Sequence, residues 1–398
     1  VRSSLRRGLI VGSSSQRQLA MGCAESGFLH ATQDELRTSH DSLDLRASRM
    51  TVRCDFHKDY VLGRRLGQGS FGAVYSATPA APSDGASAVA VKIIDPRPAR
   101  SDRRRSGGVD RRMQRAVERE VSILQVLPPS ANIVKFHGIY IERGLAYLIM
   151  ERCGMSLPQV LGRMQVLTEA TLKPIFSDMA HAIAACHAAG VAHRDVKPDN
   201  FLATTDYATK GFVVKLCDFG LSSRVSSTRS KELTGVFGTP PFMAPEMLGD
   251  GHYSAMVDVW ALGVVAYVLL FGMWPYMPRI LSGDAMKAAI ASGPAPRFTS
   301  ATGCPDPSSS SAAWVQALLC RDPDGRISAA QALEDPSFSQ AWNSQVSLMR
   351  TRRAAERCGA WALPDRGSHK LDRVLARRAK GCRKSAAVSS EASTDADA

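Results

Sequence analysis

Apolar residues along this chain recur with two periods, and the switches between them mark out its elements. Residues 60–66 and 89–92 read as short strands. Residues 78–87 are rich in Ala, Pro and Ser and read as a loosened connection between strands. From 113 to 127 the period changes, and Val117, Val121 and Leu124 fall on one face of a helix. Residues 133–136 and 145–150 return to strand-like runs. Thr168 followed by Glu169 opens a second helix, which Phe176, Met179, Ile183 and Cys186 carry to Gly190. Pro174 is expected to bend its first turns. Residues 213–217 read as one more short strand.

The two ends have no such pattern. Residues 1–58 are polar and rich in Ser and Arg, and 340–398 are basic until an acidic finish, so both are expected to be disordered. That leaves 59–339 as the folded part. An Arg-dense stretch at 96–115 fits a solvated loop better than a docking or autophosphorylation site.

Composition changes this picture little. The chain has 398 residues, 44% of them hydrophobic, enough for a large core. A net charge of +13 favours acidic partners, although no nucleic-acid recognition fold is visible and none is expected to bind. The nine cysteines are scattered without C-x-x-C spacing, which gives neither a disulfide framework nor a zinc site and suits a reducing compartment.

The chemistry concentrates at 193–200, His-Arg-Asp-Val-Lys-Pro-Asp-Asn. Asp195, Lys197 and Asn200 put a carboxylate, a cation and an amide in one tight loop. Phosphoryl transfer to a hydroxyl needs those three parts: a proton acceptor, a positive charge near the phosphate and a magnesium-holding oxygen. Upstream, Gly67-Gln68-Gly69-Ser70-Phe71-Gly72-Ala73-Val74 carries the glycines that let a hairpin approach phosphates closely. Val89-Ala90-Val91-Lys92 follows, and downstream come Asp218-Phe219-Gly220 and Ala244-Pro245-Glu246.

These five motifs, in this order, resemble the eukaryotic protein kinases. The resemblance covers 60–338 and implies an α+β, bilobal protein kinase fold, with a small β-rich N-lobe and a larger helical C-lobe. It implies ATP and Mg2+ as cofactors, with Asn200 and Asp218 holding the metal. Nucleotide contacts are implied for Leu66 through Gly72 (Leu66, Gly67, Gln68, Gly69, Ser70, Phe71, Gly72), Val74, Ala90, Lys92 and Leu202. Glu120, rather than Glu118, would pair with Lys92; Met150 would gate the adenine pocket; Glu151-Arg152-Cys153 would form the hinge. Cys217 would face the nucleotide.

Lys197 is the Ser/Thr-kinase arrangement, so the expected substrates are protein Ser/Thr hydroxyls and the expected state a monomer. The run 193–202 and residues 269–276 look like the calcium- and calmodulin-dependent group. That group implies basic substrates, although Asp199, Pro241 and the absence of an acidic residue after the hinge depart from it. Thr234 is the candidate phosphosite that Arg194 would read. Asp322-Pro323-Asp324-Gly325-Arg326 lacks the ligands of a calcium loop, and Arg326 is expected to pair with Glu246.

Residues 257–274 are almost wholly apolar and approach the ~20 that span a bilayer. Asp258-Val259-Trp260-Ala261-Leu262-Gly263 instead resembles the buried central helix of the kinase C-lobe. A pseudokinase scaffold is the competing function, but such proteins lose the equivalents of Lys92, Asp195 or Asp218, and all three are present. The basic runs at 350–357 and 370–384 suit calmodulin, an anionic membrane, or a solvated tail. Residues 21–26, Met-Gly-Cys-Ala-Glu-Ser, match the N-myristoylation pattern with Cys23 placed for palmitoylation. A cytoplasmic location is expected, with membrane association if translation starts at Met21 and Gly22 is acylated.

Overall fold

Alternation in two strands divides their side chains between two cores. In the computed structural model, Val89, Val91, Ile93, Leu145, Tyr147 and Ile149 pack into one apolar cluster, whereas Ile94, Ala146 and Leu148 enter another. Successive side chains of a strand point to opposite faces, so this sheet is covered on both sides. The structure describes residues 52–342 apart from 69–70, 82–86, 98–109, 165–166, 206–208, 210, 279–281, 301–304 and 341. The acylation pattern at 21–26, much of the Arg-dense stretch and both basic tail runs lie outside the described residues.

A helical turn, α1 (Phe56–Asp59), leads into β1 (Tyr60–Gln68), β2 (Ala73–Pro79) and β3 (Val89–Ile94). Helix α2 (Arg111–Val126) follows, then β4 (Phe136–Glu142) and β5 (Leu145–Glu151). The five strands form one sheet in the order β1-β2-β3-β5-β4, each neighbouring pair antiparallel. Phe56 closes its outer face, fully buried and stacked on Tyr147 at 4.4 Å. Asp110 caps α2 by accepting from the Arg112 N–H at 2.8 Å. The buried stripe of α2 contains Val117, Val121 and Leu124, as the spacing predicts, but also Glu120.

The second lobe is mainly helical. It comprises α3 (Leu157–Arg163), α4 (Glu169–Ala188), the short strands β6 (Val191–Ala192), β7 (Phe201–Ala203), β8 (Val214–Leu216) and β9 (Ser223–Arg224), and then α5 (Met256–Phe271). Helices α6 (Gly283–Ser292), α7 (Ser309–Leu318), α8 (Ala329–Glu334) and α9 (Pro336–Ser339) complete it. The small strands pair as β6 with β9 and β7 with β8. The architecture is the bilobal α+β fold that the motifs implied.

Every residue of α5 is buried, which explains why it is apolar all round. Gly272, at φ 70°, stops it. No helix among the described residues is long and apolar enough to cross a membrane. Pro174 sits inside α4 without ending it, and Thr168 caps that helix.

One strand begins later than the sequence suggests. Residues 133–136 read as a strand, yet β4 starts only at Phe136. Ile133 and Val134 are buried between the lobes, where the Val134 N–H donates to the Leu216 carbonyl at 3.0 Å. Ile133 makes only an isolated parallel bridge to Leu216 and is not part of the five-stranded sheet. At 322–326, Asp322 Oδ1 accepts from the Asp324 N–H, closing a tight turn. Beneath it the fully buried Arg326 holds Glu246 at 2.7 and 3.2 Å and lies 5.1 Å over Trp260.

Candidate active site

The loop after β6 is shaped from below by a buried carboxylate. Asp258, in the first turn of α5, accepts the His193 N–H at 2.8 Å, the Arg194 N–H at 2.7 Å and His187 Nε2 at 3.0 Å. Burial alone would raise its pKa, but the His187 hydrogen bond and charge, together with His193, hold it below the usual range. Arg194 takes φ 65°, a left-handed turn that an L-residue adopts only when its surroundings enforce it. Asp258 supplies that enforcement.

Asp258→Asn is therefore expected to destabilise the fold by about 3 kcal/mol, because an amide oxygen cannot replace both carboxylate acceptors. Urea unfolding measures the loss, and kcat should fall with it. Since the folded pKa lies below the ordinary 3.8, the wild-type contribution is present above that value and disappears as pH falls through the folded one. The variant should lack this acid-side dependence.

Above the loop, polar groups converge on Asp195. Its Oδ2 accepts from Lys197 Nζ at 2.7 Å and Asn200 Nδ2 at 3.1 Å, and its Oδ1 accepts from Thr239 Oγ1 at 2.8 Å. Lys197 Nζ also donates to Thr239 Oγ1 at 2.9 Å. Asn200 Nδ2 reaches back to the Asp195 carbonyl at 2.8 Å, closing the turn Pro198–Asn200. Gly238 makes the approach of Thr239 feasible: it has φ 98°, and a Cβ there would lie 2.5 Å from the Arg194 carbonyl oxygen.

Thr239 carries no signal in the motif reading beyond its place in Gly-Thr-Pro. Its role follows from contacts between segments 44 residues apart. Thr239→Val, which removes the hydroxyl and keeps the shape, should lower kcat on the order of tenfold or more with little change in nucleotide KM. Steady-state kinetics at saturating ATP checks this.

The other half of the site lies on β3 and α2. Lys92 Nζ donates to Glu120 Oε1 at 2.6 Å and to Asp218 Oδ1 at 2.8 Å. Burial alone would pull the Lys92 ammonium down, but Asp218 and Glu120 outweigh it and hold its pKa well above the usual value. Asp218 takes a left-handed backbone, φ 60° and ψ 76°. His193 Nε2 lies 3.1 Å from the Cys217 carbonyl, tying the Asp218 segment to the loop.

Between the lobes runs a cleft of about 860 Å³. Leu66, Gly67, Gln68, Val74, Ala90, Lys92, Glu120, Met150, Glu151, Cys153, Asn200, Leu202 and Asp218 all line it. Ala90 and Met150 face each other in the β3–β5 register. Cys217 lines it too, its thiol pushed up by burial. Phe71 and Gly72 do not line it. Gly72 is instead required by packing, since a Cβ there would lie 2.2 Å from the Ile93 carbonyl oxygen. Gly69 and Ser70 lie outside the described residues. Thr234 is exposed, while Arg194 donates to the Leu221 carbonyl at 2.8 Å and covers the Phe237 ring at 4.4 Å.

The residues also suit the two groups a phosphoryl-transfer site requires. The cleft volume falls in the range of small-molecule sites, about 300–1,000 Å³. Asp218 and Asn200 bring two oxygen ligands to one wall. No cluster of three or more His, Cys, Asp or Glu that could hold a metal occurs among the described residues. Two ligands fit magnesium that shares its coordination with phosphates and water.

Comparison with known proteins agrees. The family described as protein kinase domain matches residues 60–338. CDPK-related kinase 8 of Arabidopsis thaliana is 34% identical over 296 residues, which are 74% of this chain and 46% of the relative. CBL-interacting protein kinase 20 of Oryza sativa subsp. japonica is 32% identical over 301 residues, 75% of this chain and 61% of the relative. Calcium/calmodulin-dependent serine/threonine-protein kinase 1 of the same organism is 32% identical over 283 residues, 71% and 44% of the two chains. The chain thus spans about half the length of the curated relatives it matches. The match over 60–338, on a chain that carries the motifs, the interlobe cleft and the Lys92 ion pairs, shows that the chain belongs to the protein kinase family and is similar to that family's calcium- and calmodulin-dependent group.

Proposed function

We propose that this protein transfers the γ-phosphoryl group of ATP to serine and threonine hydroxyls of protein substrates. One observation carries the reading: Lys92 is bonded at once to Glu120 and Asp218, so the strand, the helix and the metal-binding segment stand in one working arrangement. A scaffold without activity has no use for that alignment.

Each residue then has a task. Lys92 positions the α- and β-phosphates, restrained by Glu120. Asp195 orients the acceptor hydroxyl and takes its proton on a carboxylate oxygen. Lys197, held by Asp195 and Thr239, places a positive charge beside the transferring phosphate. Asp218 and Asn200 would hold magnesium, which supplies charge neutralisation between the phosphates. Lys197 two residues after Asp195 supports a Ser/Thr rather than a Tyr acceptor, as do the names of the relatives. The basic segment beyond the domain suits calmodulin or an anionic membrane, and the 21–26 pattern adds a lipid anchor if translation starts at Met21.

The test is MgATP-dependent phosphate transfer to arrayed Ser, Thr and Tyr peptides, with Asp218→Ala as control. Transfer to Ser and Thr that vanishes in the control is the expected result. No transfer, even after treatment with an upstream kinase, would bring the scaffold reading forward.

A further inference from the structure

Two basic side chains in the segment from Asp218 to Glu246, Arg229 and Lys231, have no part in the transfer described above. Arg229 Nη1 donates to the carbonyls of Pro323 and Asp324 at 2.9 and 3.0 Å, and its Nη2 donates to the Arg326 carbonyl at 2.9 Å. Lys231 Nζ lies 2.7 Å from Asp324 Oδ2. All of these acceptors belong to the turn 322–326 between α7 and α8.

Arg326 is the meeting point. Its carbonyl accepts from Arg229, while its guanidinium holds Glu246 and donates to the Met256 carbonyl at 2.8 Å. The chain from 229 to 246 is thus tied at both ends to one fully buried residue. Thr239, which bridges Asp195 and Lys197, lies inside that closed stretch. Within it, Leu233 is buried and exchanges two backbone hydrogen bonds with Tyr253, at 3.0 and 2.9 Å. The Glu232 carboxylate accepts from the Ser226 N–H and, at 2.8 Å, from the Ser226 hydroxyl. Arg194 meets the Leu221 carbonyl and the Phe237 ring, neither of them an anion. A phosphate can order such a segment by drawing arginines to it. Here the segment supplies the cations and the turn supplies the oxygens.

We propose that Arg229, assisted by Lys231, is a positioning residue for phosphoryl transfer: by fixing the segment to the turn 322–326 it keeps Thr239 on Asp195 without a phosphate on the segment. The inference rests on the phosphoryl-transfer reading above and deepens it. It gives Arg229 the task that the resemblance assigned to a phosphate on Thr234. The guanidinium is the stronger tie, since its donors are ionised and its planar fork meets several oxygens at once. Lys231 and Asp324 have side chains 50% and 60% exposed, so their pair adds little alone. The step that gains is transfer itself, because a misplacement of about 1 Å can cost on the order of 10²-fold.

The experiment measures transfer to a serine peptide by the full chain, with kcat, peptide KM and ATP KM taken separately. Arg229→Ala should lower kcat on the order of tenfold, while ATP KM and melting temperature change little, because Arg229 is exposed and does not line the nucleotide cleft. Arg229→Lys keeps the charge but not the fork, and should recover part of the loss. Hydrogen exchange in the alanine variant should quicken at 230–239 and stay unchanged in β3 and β5. Wild type stripped by a protein phosphatase, its mass showing no phosphate, should keep its turnover.

Wild-type kcat in Arg229→Ala would overturn the proposal. So would a fall in kcat matched by a lower melting temperature and weaker ATP binding, the mark of a general folding defect. Loss of turnover on dephosphorylation would overturn it too and return the task to a phosphate. Each of these outcomes leaves the kinase reading intact. Absence of transfer by the wild type to every Ser and Thr peptide, phosphorylated or not, would overturn both, as would transfer that survives Asp218→Ala.

Discussion

Asp218→Ala should lower kcat on the order of 10³-fold or more while the protein stays folded. Asp218 lines the cleft and shares Lys92 with Glu120. Its removal takes away the carboxylate proposed to hold magnesium, yet Lys92 keeps its 2.6 Å partner on α2. The lobes therefore remain tied. Alanine is less suited than aspartate to the left-handed backbone at this position, so part of any stability change would come from φ 60° alone. Asp218→Asn separates the two effects, because asparagine tolerates that conformation. If the carboxylate charge is what matters, both variants lose turnover and only the alanine one loses melting temperature. Near-wild-type turnover in either would refute the metal assignment.

Lys92→Met should abolish nearly all transfer as well, but with a different signature in stability. Glu120 is 1% exposed and already has its pKa pushed up by burial. Its Oε2 has no hydrogen-bond partner, so Lys92 supplies what neutralises it. Without the ammonium, a carboxylate stands uncompensated in an apolar stripe, a loss of about 3–5 kcal/mol when the charge persists. Protonation relieves it. The folded pKa of Glu120 in the variant would lie far above the unfolded one, so folding is unpenalised below pH 4.5, the ordinary value, and is weakened as pH rises through the folded value. The gap between wild type and variant in urea midpoint should therefore open from about pH 4.5 upward. A gap independent of pH would show that Lys92 acts through packing alone.

The two halves of the site were legible to different degrees. The loop 193–200 holds its three groups within six residues, so their grouping could be read directly. Lys92, Glu120 and Asp218 were legible as motifs, each flanked by strand- or helix-like patterns. Phe71 and Gly72, assigned to the nucleotide by their motif, are not among the residues lining the cleft, and Gly72 lies tight against β3. Thr239 escaped because a threonine between glycine and proline resembles any turn. Asp258 was read as a mark of the core helix, and its grip on the catalytic loop could not be seen, since the two lie 64 and 65 residues apart. The strand expected at 133–136 differs from β4 because buried β-branched residues look alike whether they belong to a sheet strand or, as at Ile133, to an isolated bridge.

The sequence by itself determined the family, the order of the catalytic parts and the identity of the buried helix. Those features reside in local spacing: a motif within eight residues, or an apolar run that only a core can hide. Tertiary structure decided which carboxylates are taken up by lysines and which hydroxyl bridges Asp195 and Lys197. These are matters of charge and distance between segments far apart in the chain, and a one-dimensional pattern carries no measure of either.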